Sequence, residues 1–290
     1  RSCAVVAGEV RCWGADWSDG TASFEPQVVS GTNGATAVGV GDGFACALIG
    51  EEVACWHERS ATERVPGVWN VDRLHVRDAA ACAWNGAAGD GAMWCWTIRE
   101  GLTRDLRRTT RTSGVAALAL GDRFSCEARA TGAVVCRGRG EVGQLGRRPI
   151  PAGGASDLAG ALLGLGDGAA CASSVDGGAV CTGSLSPDGT AASVRVPDRP
   201  SDLVVGPSAA CALTSGAPFC WTDALDPQPV DRLREASGVA LGSRACAVLD
   251  GNVVCSRTSD PSAPMEVVRG VENVDDVVVG ARHACAASAG

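Results

Sequence analysis

The sequence predicts an all-β fold, a seven-bladed β-propeller, and three observations lead to this prediction. Cysteine pairs recur along the chain, and their first members are spaced about 40 residues apart on average. The residues around the pairs read as short strands separated by Gly and Pro, with no helical period. A unit of this size cannot bury both faces of its own sheet, and radially stacked β units of about 40 residues form propellers.

The stretch Gly39–Trp56 shows the repeating element in its clearest form. An apolar strand ends in a glycine corner and is followed by a hairpin that carries one cysteine on each arm. Opposite residues in antiparallel strands lie about 4.5–5.5 Å apart. Pairing Leu48 with Val53 places Cys46 opposite Cys55, at a separation that a disulfide can span.

Seven such cysteine pairs are present, and we predict one disulfide hairpin in each blade. The pairs are Cys3–Cys12, Cys46–Cys55, Cys82–Cys95, Cys126–Cys136, Cys171–Cys181, Cys211–Cys220 and Cys246–Cys255. Cys285 has no following cysteine and is predicted to be unpaired. Metal binding is an alternative, but the short C-x2–4-C spacing of zinc sites is missing, and buried free thiols are another. Disulfides on this scale predict an extracytoplasmic protein, either secreted, periplasmic or on the cell surface.

The repeats predict one domain over residues 1–290. The segment 271–290 is a closing repeat, which supplies the apolar strand that the first unit lacks, or a surplus partial repeat. Because the chain starts within a hairpin at Arg1, we expect it to be a processed or trimmed chain. Either 281–290 is an overhanging tail, or the chain is a fragment of a longer protein.

The run CRGRGEVGQLG at Cys136–Gly146 resembles the C-W-G-x-N-x-x-G-Q-L-G tail of the regulator of chromosome condensation repeat family, with Arg137 in place of Trp. Units of the form G-D-x-x-x-C-A-L…G-x-V-x-C-W-G resemble the bacterial, cysteine-bearing version of that repeat. The resemblance covers the whole chain. It implies a seven-bladed β-propeller used as a binding platform, with guanine-nucleotide exchange in one branch of the family and β-lactamase inhibition in another.

Composition and motifs argue against several classes of function. The net charge of −8 disfavours a nucleic-acid partner, and no apolar run is long enough to insert into a membrane. His57, His75 and His283 share no spacing, and no HExxH, GxSxG or P-loop string occurs. We therefore predict a protein that is not an enzyme, without cofactor or metal, and monomeric.

Two groups of residues are candidate partner contacts. Four tryptophans follow a second cysteine and are predicted to pack between blades, whereas Trp17, Trp69, Trp84 and Trp94 lie outside that register. Of these, Trp17 and Trp69 are the candidate contacts. Exposed tryptophans are enriched in binding hot spots. The segment Thr103–Thr112, predicted to be a loop, concentrates positive charge on an acidic chain through Arg104, Arg107, Arg108 and Arg111.

These observations favour a binding or scaffold propeller that engages a protein, or another macromolecule, through a rim of loops. One alternative is a structural repeat module of a larger surface protein. Another is an enzyme or a ligand-binding protein with its site at the central channel. The last alternative requires titratable residues at equivalent positions of several units, where the sequence instead has Ala, Val and Gly near the cysteines.

Overall fold

The computed structural model describes residues 1–15, 22–57, 61–86, 92–99, 102–109, 115–121, 124–129, 134–138, 162–174, 177–186, 191–280 and 283–288. These residues form 28 strands and one turn of 3-10 helix at Asp231–Leu233. Among them, no helix has the length and apolar character needed to cross a membrane. The chain divides into two compact units, Arg1–Val115 and Ala116–Gly290.

The first unit contains three antiparallel sheets with the strand orders β1-β2-β3, β4-β5-β6-β7 and β8-β9-β10-β11. Each sheet is a meander, because strands that follow one another in the sequence are hydrogen-bonded neighbours. The strands are β1 (Ser2–Val6), β2 (Glu9–Ala15), β3 (Ala22–Val28), β4 (Ala35–Val40), β5 (Phe44–Ile49), β6 (Glu52–His57), β7 (Glu63–Trp69), β8 (Arg73–Arg77), β9 (Ala80–Trp84), β10 (Met93–Arg99) and β11 (Leu102–Thr109).

The second unit repeats this pattern in four further sheets and ends in a two-stranded sheet, β27-β28. The strands, of which the first begins at the unit boundary, are β12 (Val115–Gly121), β13 (Phe124–Arg129), β14 (Val134–Gly138), β15 (Leu163–Leu165), β16 (Ala169–Ser173), β17 (Gly178–Gly183), β18 (Ala192–Arg195), β19 (Asp202–Val205), β20 (Ala210–Leu213), β21 (Phe219–Trp221), β22 (Gln228–Pro229), β23 (Gly238–Leu241), β24 (Ala245–Leu249), β25 (Asn252–Ser256), β26 (Met265–Val267), β27 (Asp276–Val279) and β28 (Ala284–Ala287).

Each of the seven larger sheets contains one cysteine hairpin. In the β5–β6 hairpin, Leu48 lies opposite Val53 and Cys46 lies opposite Cys55, which is the register that the sequence pattern predicts. The disulfides join Cys3–Cys12, Cys46–Cys55, Cys82–Cys95, Cys126–Cys136, Cys171–Cys181, Cys211–Cys220 and Cys246–Cys255. The predicted fold class, an all-β, seven-bladed β-propeller with one disulfide hairpin in each blade, is confirmed.

The hydrophobic core lies between successive sheets. One cluster in the first unit combines Phe44 and Leu48 of the second sheet with Trp94 and Trp96 of the third. A cluster in the second unit joins the β15–β18 sheet to Trp221 of the sheet that follows it. Burial of a blade therefore depends on its neighbour, as expected for units too small to hold a core of their own.

The first strands of successive blades lie side by side within each unit, β4 beside β8 and β15 beside β19. This close approach uses the glycine corner that follows the first strand. A Cβ added to Gly41 would lie 2.4 Å from the carbonyl oxygen of Asp78, and one added to Gly166 would lie 2.2 Å from that of Gly206. These corners therefore have no room for a side chain.

The segment 271–290 contributes the two-stranded sheet, whose Val277 packs in one core cluster with Val248 of β24. In this sheet Val278 lies opposite Cys285. A single domain over 1–290, and a closing or surplus role for 271–290, remain predictions.

Candidate functional site

An exposed tryptophan lies on the surface of the first unit, supported by a buried one. Trp69 is the last residue of β7, and 56% of it is exposed, whereas Trp94 in β10 is only 3% exposed. Their ring centroids are 6.4 Å apart and the rings are tilted by 53°. This lies within the range of attractive aromatic pairs. Trp94 therefore holds one side of Trp69 while much of the indole remains accessible to solvent.

An arginine covers the other end of this aromatic pair. Arg108 in β11 lies directly opposite Trp94 in the β10–β11 ladder, and its guanidinium carbon is 5.4 Å from the centroid of the Trp94 ring. This is the geometry of a cation–π contact. The contact orders the guanidinium, and the Arg108 side chain as a whole is exposed.

An aliphatic side chain joins β11 to the end of β7. Leu106 is 39% exposed, and a Cβ added to Gly67 in β7 would lie 3.9 Å from its Cδ2 atom. We call the set Trp69, Trp94, Leu106 and Arg108 the Trp69 surface. It combines accessible aromatic and aliphatic area with the exposed side chain of Arg108.

The charge of the Trp69 surface is not neutralised within the described part of the chain. There, neither Arg107 nor Arg108 lies within ion-pair distance of a carboxylate. Glu52, which faces Trp69 across the β6–β7 ladder, is instead paired with Arg64.

Two of the six residues predicted as partner contacts, Trp69 and Arg108, come together here through their contacts with Trp94, although they are distant in the sequence. Arg107 is exposed but lies opposite Cys95, so alternation along the strand places it on the other face of the sheet from Arg108. Arg104 lies in β11, but its side chain, together with Trp17 and Arg111, falls outside the described residues.

The prediction that Thr103–Thr112 forms a loop is wrong for most of its length, because Leu102–Thr109 is strand β11. Pairing of its backbone with β10 accounts for the difference, since Cys95 faces Arg107 and Ile98 faces Thr103. The high arginine content of the segment hides its tendency to form a β-strand in the sequence. The sequence analysis missed Leu106, for which an apolar residue between two arginine-rich stretches was the available signal.

The histidines do not form a shared site among the described residues. His57 ends β6, His75 lies in β8 and His283 precedes β28. Among the described residues, no three His, Cys, Asp or Glu side chains are grouped in a way that could hold a metal ion.

His75 has a distinct environment on the first strand of its blade. It lies opposite Cys82, the position that Gly39 occupies opposite Cys46 in the preceding blade. Burial, and secondarily the charge of Arg77, lowers the pKa of His75 below its ordinary value. The imidazole is therefore favoured in its neutral form in the folded chain.

No family model matches the chain, and no curated protein matches it either. Solved structures do match. The structure of Prp20p from Saccharomyces cerevisiae, described together with its binding to Gsp1p and histones, is 14% identical, covers 98% of this chain and 92% of its own, and has a TM-score of 0.68. Yeast RCC1 (Prp20) bound to Kap60 is 15% identical, covers 94% of this chain and 87% of its own, and has a TM-score of 0.65.

A plant receptor is also similar. The ectodomain of the Physcomitrella patens receptor kinase CR4 is 20% identical, covers 89% of this chain and 70% of its own, and has a TM-score of 0.58. At these identities the likeness shows the fold alone, an RCC1-like β-propeller. It agrees with the family resemblance of the repeats at the level of the fold.

Proposed function

We propose that this chain is a non-enzymatic, protein-binding β-propeller that works outside the cytoplasm and engages its partner through the Trp69 surface. The observation that carries the proposal is an exposed tryptophan, Trp69, packed against the buried Trp94, whose ring also contacts the guanidinium of the exposed Arg108. Trp and Arg are the residue types most enriched in binding hot spots. Trp94 and the backbone pairing of β11 order this surface before binding, which lowers the entropic cost of association.

The comparisons support protein binding as the general role. Yeast Prp20 has the same fold and is described as binding Gsp1p, histones and Kap60. Those partners belong to the yeast protein, and we infer for this chain only that its propeller also serves as a protein-binding platform. We further propose that the folded chain is monomeric before it meets that partner.

The disulfides support an extracytoplasmic location. Seven bridges are present in a chain of 290 residues, and such bridges persist in oxidising compartments. The CR4 propeller, which is part of a receptor ectodomain, provides a precedent for this fold outside the cell.

Affinity capture with matched baits tests the proposal. The oxidised chain, the double variant Trp69→Ala/Arg108→Ala and the control Arg195→Ala are each immobilised and exposed to the extracellular fraction of the source organism. Arg195 is an exposed arginine at the end of another outer strand, β18. The wild type and the control should retain the same protein, and the double variant should retain at least about ten-fold less of it.

Two results would contradict the proposal. Equal retention by all three baits would remove the Trp69 surface as the binding site. Turnover of a small molecule by the purified chain, with no retained protein, would favour the enzyme alternative. Circular dichroism and a count of disulfides by mass confirm that the double variant is folded.

A further inference from the structure

We propose that the partner of the Trp69 surface binds as an added β-strand: an extended, acidic polypeptide segment pairs with the outer edge of β11. This inference rests on the proposed function and specifies the chemistry of the partner. The observations that carry it are the length and composition of β11, its position at the edge of a sheet, and its charge.

Strand β11 differs from the other outermost strands that the structure describes. It is eight residues long and contains no proline. Pro26 lies in β3, Pro66 in β7 and Pro229 in β22. The last strands of the other described sheets, β14, β18, β26 and β28, have only five, four, three and four residues. Short strands, prolines, bulges and charged side chains protect sheet edges from pairing with other chains. Strand β11 is long and lacks proline, so its protection comes from its bulge and its arginines.

A comparison of register shows where β11 lacks the proline of β3. In β3, Gln27 faces the second cysteine of its hairpin, Cys12, and the residue just before it is Pro26. In β11, Arg107 faces the equivalent cysteine, and the residue just before it is Leu106. Pro26 and Leu106 each lie in a bulge of their outer strand. At the place where β3 has a proline without an N–H group, β11 therefore keeps its backbone donor.

The other side of β11 is open to pairing. The sheet order is β11-β10-β9-β8, so one side of β11 is hydrogen-bonded to β10, and the opposite side pairs with no strand in the described part of the chain. In strand addition, backbone hydrogen bonds supply affinity and nearby side-chain pockets supply specificity. Here Leu106 and the exposed ring of Trp69 provide the apolar contact for one side chain of the added segment.

Charge selects the chemistry of the added segment. Strand β11 holds Arg104, Arg107 and Arg108 against a single carboxylate, Asp105, on a chain whose net charge is −8. Two copies of this strand would repel each other across the new ladder, since like charges opposite one another are destabilising. The arginines of β11 would instead attract an acidic segment. Such electrostatic complementarity favours correct partners and raises the association rate. The occupant that fits is therefore an acidic segment and not a second copy of this chain.

A synthetic peptide tests the inference without knowledge of the natural partner. The probe is a fluorescein-labelled octapeptide of alternating Glu and Val with one central Leu. Two matched peptides replace Glu by Lys or carry N-methyl groups on alternate backbone nitrogens. At low ionic strength the Glu peptide should bind the oxidised chain, and the N-methylated and Lys peptides should each bind at least about ten-fold more weakly. Binding should also slow hydrogen exchange of the β11 amides.

Variants of the chain sharpen the test. The charge reversal Arg107→Glu/Arg108→Glu should invert the preference, so that the Lys peptide binds more tightly than the Glu peptide, whereas Arg195→Glu in β18 should leave it unchanged. Leu106→Pro introduces a proline at the position that Pro26 has in β3. It should weaken binding of the Glu peptide at least about ten-fold. The N-methyl series decides the mode of binding if Leu106→Pro does not fold.

The outcomes separate this inference from the proposed function. Equal binding of the Glu peptide and its N-methylated form would overturn strand addition. If that binding still depended on Trp69 and Arg108, the Trp69 surface would stand as a binding site. Absence of any peptide binding would also overturn strand addition, while the capture experiment with whole proteins would decide the proposed function separately.

Discussion

At the scale of single residues, tryptophans divide into a structural class and an accessible one. Trp56, Trp96 and Trp221 each follow the second cysteine of a hairpin, and each is at most 4% exposed. Trp69, outside that register, projects into solvent at the end of β7. Trp84 and Trp94 also lie outside that register and are only 8% and 3% exposed, so a position outside the repeat register does not by itself expose a tryptophan.

Trp69→Ala should cost about 1 kcal/mol of unfolding free energy, because it removes one aromatic contact and little buried area. Trp96→Ala should cost about 3–5 kcal/mol, because it empties a fully buried site between two blades. Guanidinium unfolding of the oxidised proteins measures both values. Equal costs would mean that Trp69 is a core residue and is not available to a partner.

Glycine corners set the spacing between blades. Gly166→Ala should destabilise the chain by about 1–3 kcal/mol, because the new Cβ meets the Gly206 backbone carbonyl and not a movable side chain. Gly216→Ala is the control, since a Cβ there meets nothing within 4 Å. Its effect on the unfolding free energy should stay within about 1 kcal/mol. A similar loss in both variants would contradict this role for the corner.

His75 should make the stability of the chain depend on pH. Its pKa is lowered in the folded state by burial first and by Arg77 second, so the unfolded chain binds its proton more readily. This contribution is fully present above the ordinary histidine pKa of about 6.5 and is lost progressively as the pH falls below it. In His75→Gln, the drop in denaturation midpoint between about pH 7.5 and about pH 5 should be smaller than in the wild type.

Arg77→Gln provides a partial version of the same experiment. Removing the guanidinium charge takes away the weaker of the two causes of the lowered pKa, so the pH-dependent drop should shrink less than in His75→Gln. An unchanged drop in His75→Gln would show that other groups account for the acid sensitivity.

At the scale of elements, the cysteine hairpin is the unit that local sequence specifies best. The alternation around Gly50 predicts that Cys46 lies opposite Cys55, and the structure has this register. The two cysteines meet because the hairpin turn fixes which residues oppose each other. No distant part of the chain is needed for this outcome.

Removal of one such hairpin bridge, by Cys246→Ala/Cys255→Ala, should cost about 2–3 kcal/mol in the chain-entropy account of a loop of this length. Cys285→Ala is the matched control, because Cys285 belongs to none of the seven hairpin disulfides. Chemical unfolding of both variants measures the difference. An equally large loss in Cys285→Ala would contradict the assignment of the stabilising effect to the bridge.

Strand β11 shows the limit of local prediction. Its run of arginines has the composition of a solvated loop, yet Leu102–Thr109 pairs with β10 along its length. The decisive partner, β10, carries Trp94 and Trp96, whose burial depends on the neighbouring blade. Secondary structure at this outer position therefore follows from tertiary packing, which overrides the local preference.

At the scale of the whole molecule, packing between successive repeats contributes much of the stability of the fold. Within each unit, core clusters combine residues of successive sheets, so neighbouring blades of a unit support each other. The buried residues include many alanines, which contribute little apolar area each. Covalent bridges within blades therefore add stability that such a small-residue core lacks.

Reduction of the native chain under denaturing conditions should add the mass of two hydrogens for each of the seven bridges. The reduced chain should also unfold at lower denaturant concentration than the oxidised one, because its unfolded state regains loop entropy. Intact mass spectrometry and parallel unfolding curves measure the two effects. A mass change near zero would remove the support for an extracytoplasmic location.

By itself, the sequence determined the all-β class, the seven repeats and the register of the cysteine hairpins, because these depend on period, alternation and turns within about 40 residues. Only the tertiary structure brought Trp69, Trp94 and Arg108 together, since they belong to three strands in two different blades. It also decided that β11 is an edge strand and that Leu106 is exposed beside β7. Contacts between blades depend on how neighbouring sheets pack, and a pattern read along one strand does not contain that information.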